Sequence, residues 1–547
     1  MRHWVRTCFA VVLAVGSMFG AASPAAAVEV EVTPFPQRAI IPPVMECEAL
    51  TRADFTLVPE APTVVESATI ETAKDGRAEF CFVKGQVAPQ VRFELRLPTK
   101  TYTGRYLQGG CGGNCGFIGT DLSPSCSTQR AYEGAFAIGF NDGGHSSSGA
   151  LDAIWATNPG LREDFGHRGV HVAAVAAKAI IARYYGTPPE FSYFQGCSNG
   201  GREGLMEVQR YPDDFDGVIA GASNFLVAEK VERYIWEAVH GLTETGELVF
   251  TPEAASLLHS AVMEACDGLD GLVDGQIDDP RKCAYDPTAL LCDPAKPGTP
   301  CLSAKQVDTA IKFYQGPRTA DGKGLFPGGA QYGTELTWGT SGAFANAGFR
   351  AARGFVRFML PQEHAISGFE PKDWVFDEAG LRRLQTAAET FDSKNPDISR
   401  FREAGGKLIL WQGAADVAAG PSAIFEYYHA VRALSGGTEK AREFARLFLI
   451  PGMYHCRGGY LPYEFDLLGK IVAWVELGQA PDAVETAVKL PDGATRRRPV
   501  FAYPVAARYK GQGDINESSS FEGVWPETLP DDRFDWLGSI AKDLPPL

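Results

Sequence analysis

Ser198 lies within Gly196, Cys197, Ser198, Asn199, Gly200, a G-x-S-x-G pattern. A serine in this pattern becomes a nucleophile when a sharp turn exposes its hydroxyl and a histidine backed by a carboxylate takes its proton. Such an elbow expects the order serine, acid, histidine along the chain. Asp416, in GAADVAAGP after the apolar run KLILWQG, and His455, in PGMYHC after ARLFLIPG, supply that order. Both fall just past the ends of strand-like runs, where open α/β sheets place their sites. His429 lies in the helix-like AIFEYYHAVRAL and reads as a helix-face side chain. His167 and His171 precede the serine in a helical pattern and read as structural, while His145, in NDGGHSSSG, is ambiguous.

These residues predict acyl transfer to a serine. His455 takes the proton from Ser198 as it attacks an ester carbonyl, and Asp416 holds the imidazole tautomer and stabilises its charged form. The alcohol leaves first, and water then releases the acid. The oxyanion needs two donors: the backbone N–H of Asn199 and one from a glycine-rich loop after an earlier strand. LQGGCGGNCG (107–116) nominates Gly112 or Gly113, although the same loop also reads as a turn carrying disulfide cysteines.

Cys197 directly precedes Ser198, and Cys456 directly follows His455. If serine and histidine meet at hydrogen-bonding distance, the neighbouring cysteines come close enough to bridge. In the entropic account, closing so long a loop restricts the unfolded chain by about 5 kcal/mol.

Those side chains need a scaffold. RYLQGG (105–110), GAFAIGF (134–140), FSYFQG (191–196), KLILWQG and ARLFLIPG (445–452) read as strands, with helical patterns at HRGVHVAAVAAKAIIARYY (167–185) and NGGREGLMEVQRYP. That alternation predicts an α/β sheet, with Ser198 on a strand-to-helix turn. The strand signals fade after Phe225 and resume near Lys407. The expected organisation is a catalytic domain over 28–224 and 404–547, interrupted by an inserted domain over 225–403. No fixed-period repeat is present.

Arg2 and Arg6, the apolar core CFAVVLAVGSMFG and the small-residue end ASPAAAV read as an export signal over residues 1–27. The alternative, a membrane anchor, is disfavoured because the apolar run is too short to span a bilayer. No later segment is long and apolar enough to span, so a secreted or periplasmic protein is expected, in which cysteines pair. Of the 12 cysteines one, Cys8, belongs to the signal, so at least one of the rest is left over. Acidic residues exceed basic ones by 67 to 51 without a Lys/Arg cluster, which argues against a nucleic-acid partner and for small or neutral substrates.

CDGLDGLVDGQIDDPRKC (266–283) crowds Asp267, Asp270, Asp274, Asp278 and Asp279 into a glycine-punctuated loop bounded by cysteines. Such carboxylates repel unless they are solvated or bridged by a hard cation. The spacing is not that of an EF-hand, and by itself it reads as a solvated acidic loop.

DFGHRGVHVAAVAAKAIIARYYG, GCSNGGREGLMEVQRYPDDFDGVIAGAS, PGMYHC and YPVAARYKGQGD together resemble the tannase and feruloyl esterase family, over nearly the whole mature chain. The resemblance implies an α/β-hydrolase core, a lid inserted between serine and aspartate, a structural calcium site in the lid, and hydrolysis of aromatic carboxylic esters. The family's catalytic roles fall on Ser198, Asp416 and His455, with Cys197 and Cys456 as a clamp. Its calcium site falls on Asp267, Asp270 and Asp274 with the carbonyls of Leu272 and Gln276; no organic cofactor is implied. It also implies the pairs Cys47–Cys81, Cys266–Cys283 and Cys292–Cys301. Cys111, Cys115 and Cys126 remain, and two of them are expected to bridge beside the glycine-rich loop in a pairing left open. Relatives include a hydrolase of a terephthalate monoester, so the family fixes the bond better than the substrate. A non-catalytic, calcium-stabilised extracellular binding protein is the alternative from another class. FAYPVAARYKG carries no cysteine, which departs from many relatives and leaves the anchoring of the tail open.

Overall fold

The computed structural model describes residues 30–74, 76–119, 128–340 and 344–547. The signal over 1–27 and Cys126 lie outside the described residues.

Nine strands form one mixed sheet in the order β1-β2-β3-β5-β4-β6-β7-β8-β9. They are β1 Thr63–Glu71, β2 Phe80–Val87, β3 Val91–Pro98, β4 Arg105–Gly109, β5 Phe136–Asn141, β6 Phe191–Cys197, β7 Gly217–Gly221, β8 Lys407–Gly413 and β9 Ala445–Ile450. The first three strands pair antiparallel, and β3 joins β5 in the same sense. From β5 through β4 to β9 every pairing is parallel. Parallel strands need crossovers and become buried on both faces, which is why β4, β5 and β7 are buried at every position. By contrast β1 begins with alternating buried and exposed residues and ends exposed.

The five strands read from the sequence correspond to β4, β5, β6, β8 and β9. The helix Gly169–Tyr185 buries Val170, Ala173, Ala174, Ala177, Ile180, Ile181 and Tyr184, the i, i+3, i+4 spacing of one face. It stops at Gly186, whose φ of 77° is the left-handed conformation that glycine supplies at helix ends. That face packs with Val83, Leu95 and Phe194 on one side of the sheet. Leu107, Ile219, Ile409 and Phe448 form the other side with Ile471 and Trp474 of the helix Leu468–Leu477.

Neighbouring strands β7 and β8 are separated in sequence by a long, helix-rich segment. Among its described residues none forms a strand of the sheet. Its helices include Val227–Gly241, Pro252–Cys266, Ala304–Gln315 and Glu378–Gln385. One apolar cluster, with Leu258, Val262, Ile277 and Phe313, lies within this segment. A second joins it to the sheet domain through Trp155, Phe165, Val231, Phe355 and Phe391, with Phe358, Trp374 and Phe376 packed against it.

The tail is held without a disulfide. Asp532 pairs with Arg281 at 2.6 Å and Arg432 at 2.9 Å and accepts from the Tyr503 hydroxyl. Trp536 donates to Glu426 at 2.9 Å. Arg432 and Asp532 are buried, and a buried pair of this kind is costly to break from one side.

Candidate active site

The elbow forms where β6 ends at Cys197 and the helix Asn199–Arg210 begins. Ser198 between them has φ 63° and ψ −119°, a backbone conformation that costs a non-glycine residue about 1–3 kcal/mol and turns the side chain out of the sheet. Two glycines make the turn sterically feasible. A Cβ on Gly196 would lie 2.5 Å from the Gly200 carbonyl, and one on Gly201 would lie 2.3 Å from Gly221 O. Ser198 N–H donates to Gly221 O at 3.0 Å, and its carbonyl accepts from Asn224 N at 3.2 Å, so β7 braces the turn.

His455 bridges the other two predicted residues. Its Nε2 is 2.8 Å from Ser198 Oγ, and its Nδ1 is 2.9 Å from Asp416 Oδ2. Asp416 is fully buried. Burial alone raises its pKa, but the His455 charge and hydrogen bond, with the Ala419 and Ala418 N–H groups, outweigh it and hold the carboxyl below its ordinary value. Gln412 Nε2 donates to Asp416 Oδ2 at 2.7 Å, and the Ala418 and Ala419 amides donate to Oδ1 at 2.7 and 3.0 Å. Every acceptor position facing the protein is thus engaged, which fixes the carboxylate plane against the imidazole.

Cys197 and Cys456 are bridged, with Cα atoms 5.9 Å apart across 259 residues of sequence. The pairs Cys47–Cys81, Cys266–Cys283 and Cys292–Cys301 are also present. The open pairing resolves as Cys111–Cys115, which closes a short ring around Gly112 and Gly113. A Cβ on Gly112 would meet open space, whereas Gly113, at φ 61°, backs onto the Ala150 carbonyl. Asn199 is buried at the start of the elbow helix, and its Nδ2 reaches Glu203 Oε1 at 3.0 Å.

Three contributors escaped the sequence reading. Asn224 Nδ2 donates to Ser198 Oγ at 3.1 Å, Gln412 holds Asp416, and buried Glu203 accepts from Cys111 N at 3.0 Å. Burial pushes the Glu203 carboxyl up to about 7, against the opposing pull of Arg202, the Cys111 N–H and the Asn199 amide. For Asn224 and Gln412 the available signal was a polar side chain at or just beyond the C-terminal end of β7 or β8; Glu203, inside the elbow helix, carried no such signal. None of the other histidines named from the sequence bonds to Ser198 or Asp416. His145 is buried, stacks on Trp155 at 3.8 Å and reaches Asn114 O at 2.8 Å. His167 meets the Tyr211 hydroxyl, His171 meets Asp214, and His429 is buried against Pro545 O.

The acidic loop gathers its carboxylates unequally. Asp267 accepts from the amides of Asp274, Gly275 and Gln276 at 2.9–3.1 Å. Asp270 Oδ1 accepts from Leu272 N at 2.9 Å. Asp274 pairs with Arg498 through Oδ2, while its Oδ1 is buried with no hydrogen-bond partner. Gln276 donates to Asp278 and accepts from the Tyr463 hydroxyl. Burial, and then the charges of Asp274 and Asp267, raise Asp270 to about 6; burial, and then Asp270, raise Asp278 to about 7.

Comparison with known proteins places this geometry. The family model described as tannase and feruloyl esterase matches residues 76–524. The chain belongs to the tannase and feruloyl esterase family. It is 32% identical over 569 residues to a mono(2-hydroxyethyl) terephthalate hydrolase from Piscinibacter sakaiensis, covering 88% of this chain and 92% of that one. It is likewise 32% identical to a probable feruloyl esterase from Arthroderma benhamiae, covering 78% and 81%. The crystal structure of feruloyl esterase B from Aspergillus oryzae superposes with a TM-score of 0.76 at 26% identity, covering 88% of this chain and all of that one. As a member of this family the protein is a carboxylic ester hydrolase. No helix among its described residues is long and apolar enough to cross a membrane.

Proposed function

We propose that the protein is an exported serine esterase that cleaves aromatic carboxylic esters through an acyl-enzyme. The observation that carries this reading is His455 spanning Ser198 and Asp416 at 2.8 and 2.9 Å. Ser198 Oγ gives its proton to His455 Nε2 and attacks the ester carbonyl; the imidazolium formed is stabilised by Asp416 and protonates the leaving alcohol. Water then attacks the acyl-enzyme, with His455 again as base, and the carboxylic acid leaves. The negative charge on the tetrahedral carbonyl oxygen falls to the Asn199 N–H, at the positive end of its helix, and to an N–H of Gly112 or Gly113. The Cys197–Cys456 bridge acts as a clamp on nucleophile and base.

The core is read as an α/β-hydrolase domain over 28–224 and 404–547, and the inserted segment 225–403 as its lid, the source of substrate specificity. The acidic loop fits a hard cation: one carboxylate oxygen of Asp274 is buried without a partner, and burial together with the charges of neighbouring carboxylates raises the proton affinity of Asp270 and Asp278. Asp267, Asp270 and Asp274, with the carbonyls of Leu272 and Gln276, would hold a calcium ion there. The ion would supply positive charge that lets these carboxylates stay ionised within the loop.

Feruloyl, galloyl or related hydroxycinnamoyl esters are the favoured substrates, in line with the feruloyl esterases among the relatives. A terephthalate monoester is the second reading, favoured by the extent of similarity to the Piscinibacter enzyme. A panel of methyl ferulate, methyl gallate, chlorogenate and mono(2-hydroxyethyl) terephthalate, ranked by kcat/KM, separates them. Failure to hydrolyse any of these or a simple aryl ester would favour the non-catalytic binding protein.

A further inference from the structure

Glu203 is a buried carboxyl one turn along the elbow helix from the nucleophile, and the acyl-transfer steps give it no role. Its two oxygens face two different parts of the site. Oε2 accepts from Cys111 N at 3.0 Å, and Oε1 accepts from Asn199 Nδ2 at 3.0 Å. Cys111 begins the bridged turn 111–115, and Asn199 directly follows Ser198. The same carboxyl lies 2.9 Å from Cys111 Sγ and 3.5 Å from Cys115 Sγ; bridged sulfurs carry no proton, so these are packing contacts. Backbone meets backbone beside it, because a Cβ on Gly110 would lie 2.7 Å from Gly200 Cα. The loop therefore rests directly on the first turn of the helix, with the Glu203 carboxyl inserted between them.

We propose that Glu203 is a positioning residue for the oxyanion hole: by taking the Cys111 N–H inward, it orients the following peptide so that Gly112 N–H and Asn199 N–H converge on one oxygen. This rests on the reading of 107–116 as the loop that supplies the second donor. A carboxyl accepting from both partners couples that loop to the elbow as one rigid piece, and preorganised donors are what oxyanion stabilisation requires. A group acting this way changes kcat rather than KM, because the oxyanion exists only in the transition state.

Two variants test the role against 4-nitrophenyl acetate, with phenylboronic acid as a mimic of the tetrahedral state. Glu203→Gln keeps the shape but has one carbonyl acceptor in place of two carboxylate oxygens; kcat should fall about tenfold with KM within about twofold of wild type. Glu203→Met can accept from neither partner; kcat should fall about 10²-fold, the loss typical of removing one oxyanion donor. Phenylboronic acid affinity should fall in parallel while the Cys111–Cys115 bridge stays intact by peptide mapping. A folded Glu203→Met enzyme with wild-type kcat and boronate affinity overturns the proposal; if that variant does not fold, wild-type kcat in Glu203→Gln does so. Gly112→Pro removes the proposed donor itself. If it folds and retains kcat, Gly112 is not the donor and the proposed convergence of Gly112 and Asn199 fails. If it loses kcat while the Glu203 variants do not, the loop reading stands and the role of Glu203 falls.

Discussion

The site at Ser198 and the acidic loop 266–283 both concentrate polar groups in the protein, but they satisfy them differently. Asp416 lies fully buried, yet its oxygens meet His455, Gln412 and two backbone amides, and its pKa is lowered. In the acidic loop Asp270 and Asp278 are pushed upward, and Asp274 retains a buried oxygen with no partner. The first constellation is completed by the chain's own donors, whereas the second leaves carboxylates crowded against one another even though Arg498 pairs with Asp274. Burial of a carboxylate is thus no guide by itself; the donors and charges around it decide the direction in which its pKa moves.

The largest expected effect breaks the first region. Ser198→Ala should lower kcat by about 10⁴-fold or more while the melting curve stays close to wild type, since no neighbouring group replaces the activated oxygen. Retention of more than a few per cent of wild-type turnover in pure protein would mean that the elbow was misassigned. Next comes the clamp. Replacing both Cys197 and Cys456 by serine should lower kcat by about a hundredfold, because positioning errors on the order of 1 Å are this costly, while unfolding stays cooperative. Equal loss of fold and rate would make the bridge a general staple instead.

The second region should respond in stability. Chelation should lower the melting temperature and added calcium restore it, since a ligand bound only by the folded chain stabilises it by mass action, about 2.7 kcal/mol at a hundredfold excess over Kd. A melting curve indifferent to both would remove the ion. The smallest effect sharpens the contrast through pH. In cation-free protein Asp270 and Asp278 sit at about 6 and about 7, raised from 3.8. Between pH 4 and 7 the folded chain therefore holds protons that the unfolded chain has released, and its stability should fall as pH rises through that window. Calcium-loaded protein should lack this decline, and titration of the melting temperature with and without the ion measures it.

Much of this was legible because local chemistry imposes local pattern. The strand, turn and helix around Ser198 could be read from FSYFQGCSNGGREG, since apolar runs and close-packed glycines report directly on backbone geometry. The order of residues after strands pointed to Asp416 and His455, and the structure places His455 within hydrogen-bonding distance of Ser198 and Asp416. The neighbouring cysteines gave a distance constraint that sequence seldom offers. The helices of 225–403 were not read from the sequence, although one of them, Pro252–Cys266, buries Ala255, Leu258, Val262 and Cys266 at the spacing of a single apolar face.

What the sequence by itself determined was which residue types could perform acyl transfer and on which turns they stand, because the period of a strand and the steric demands of an elbow are written in adjacent residues. Only the tertiary structure decided that Asn224 reaches Ser198, that Gln412 holds Asp416, that Cys111 pairs with Cys115, and that Asp532 anchors the tail in place of a disulfide. Each of these is a contact between side chains whose partners are set by how strands and helices stack. A hydrogen bond acts over about 3 Å, and no periodicity in the chain encodes which distant residue will arrive within it.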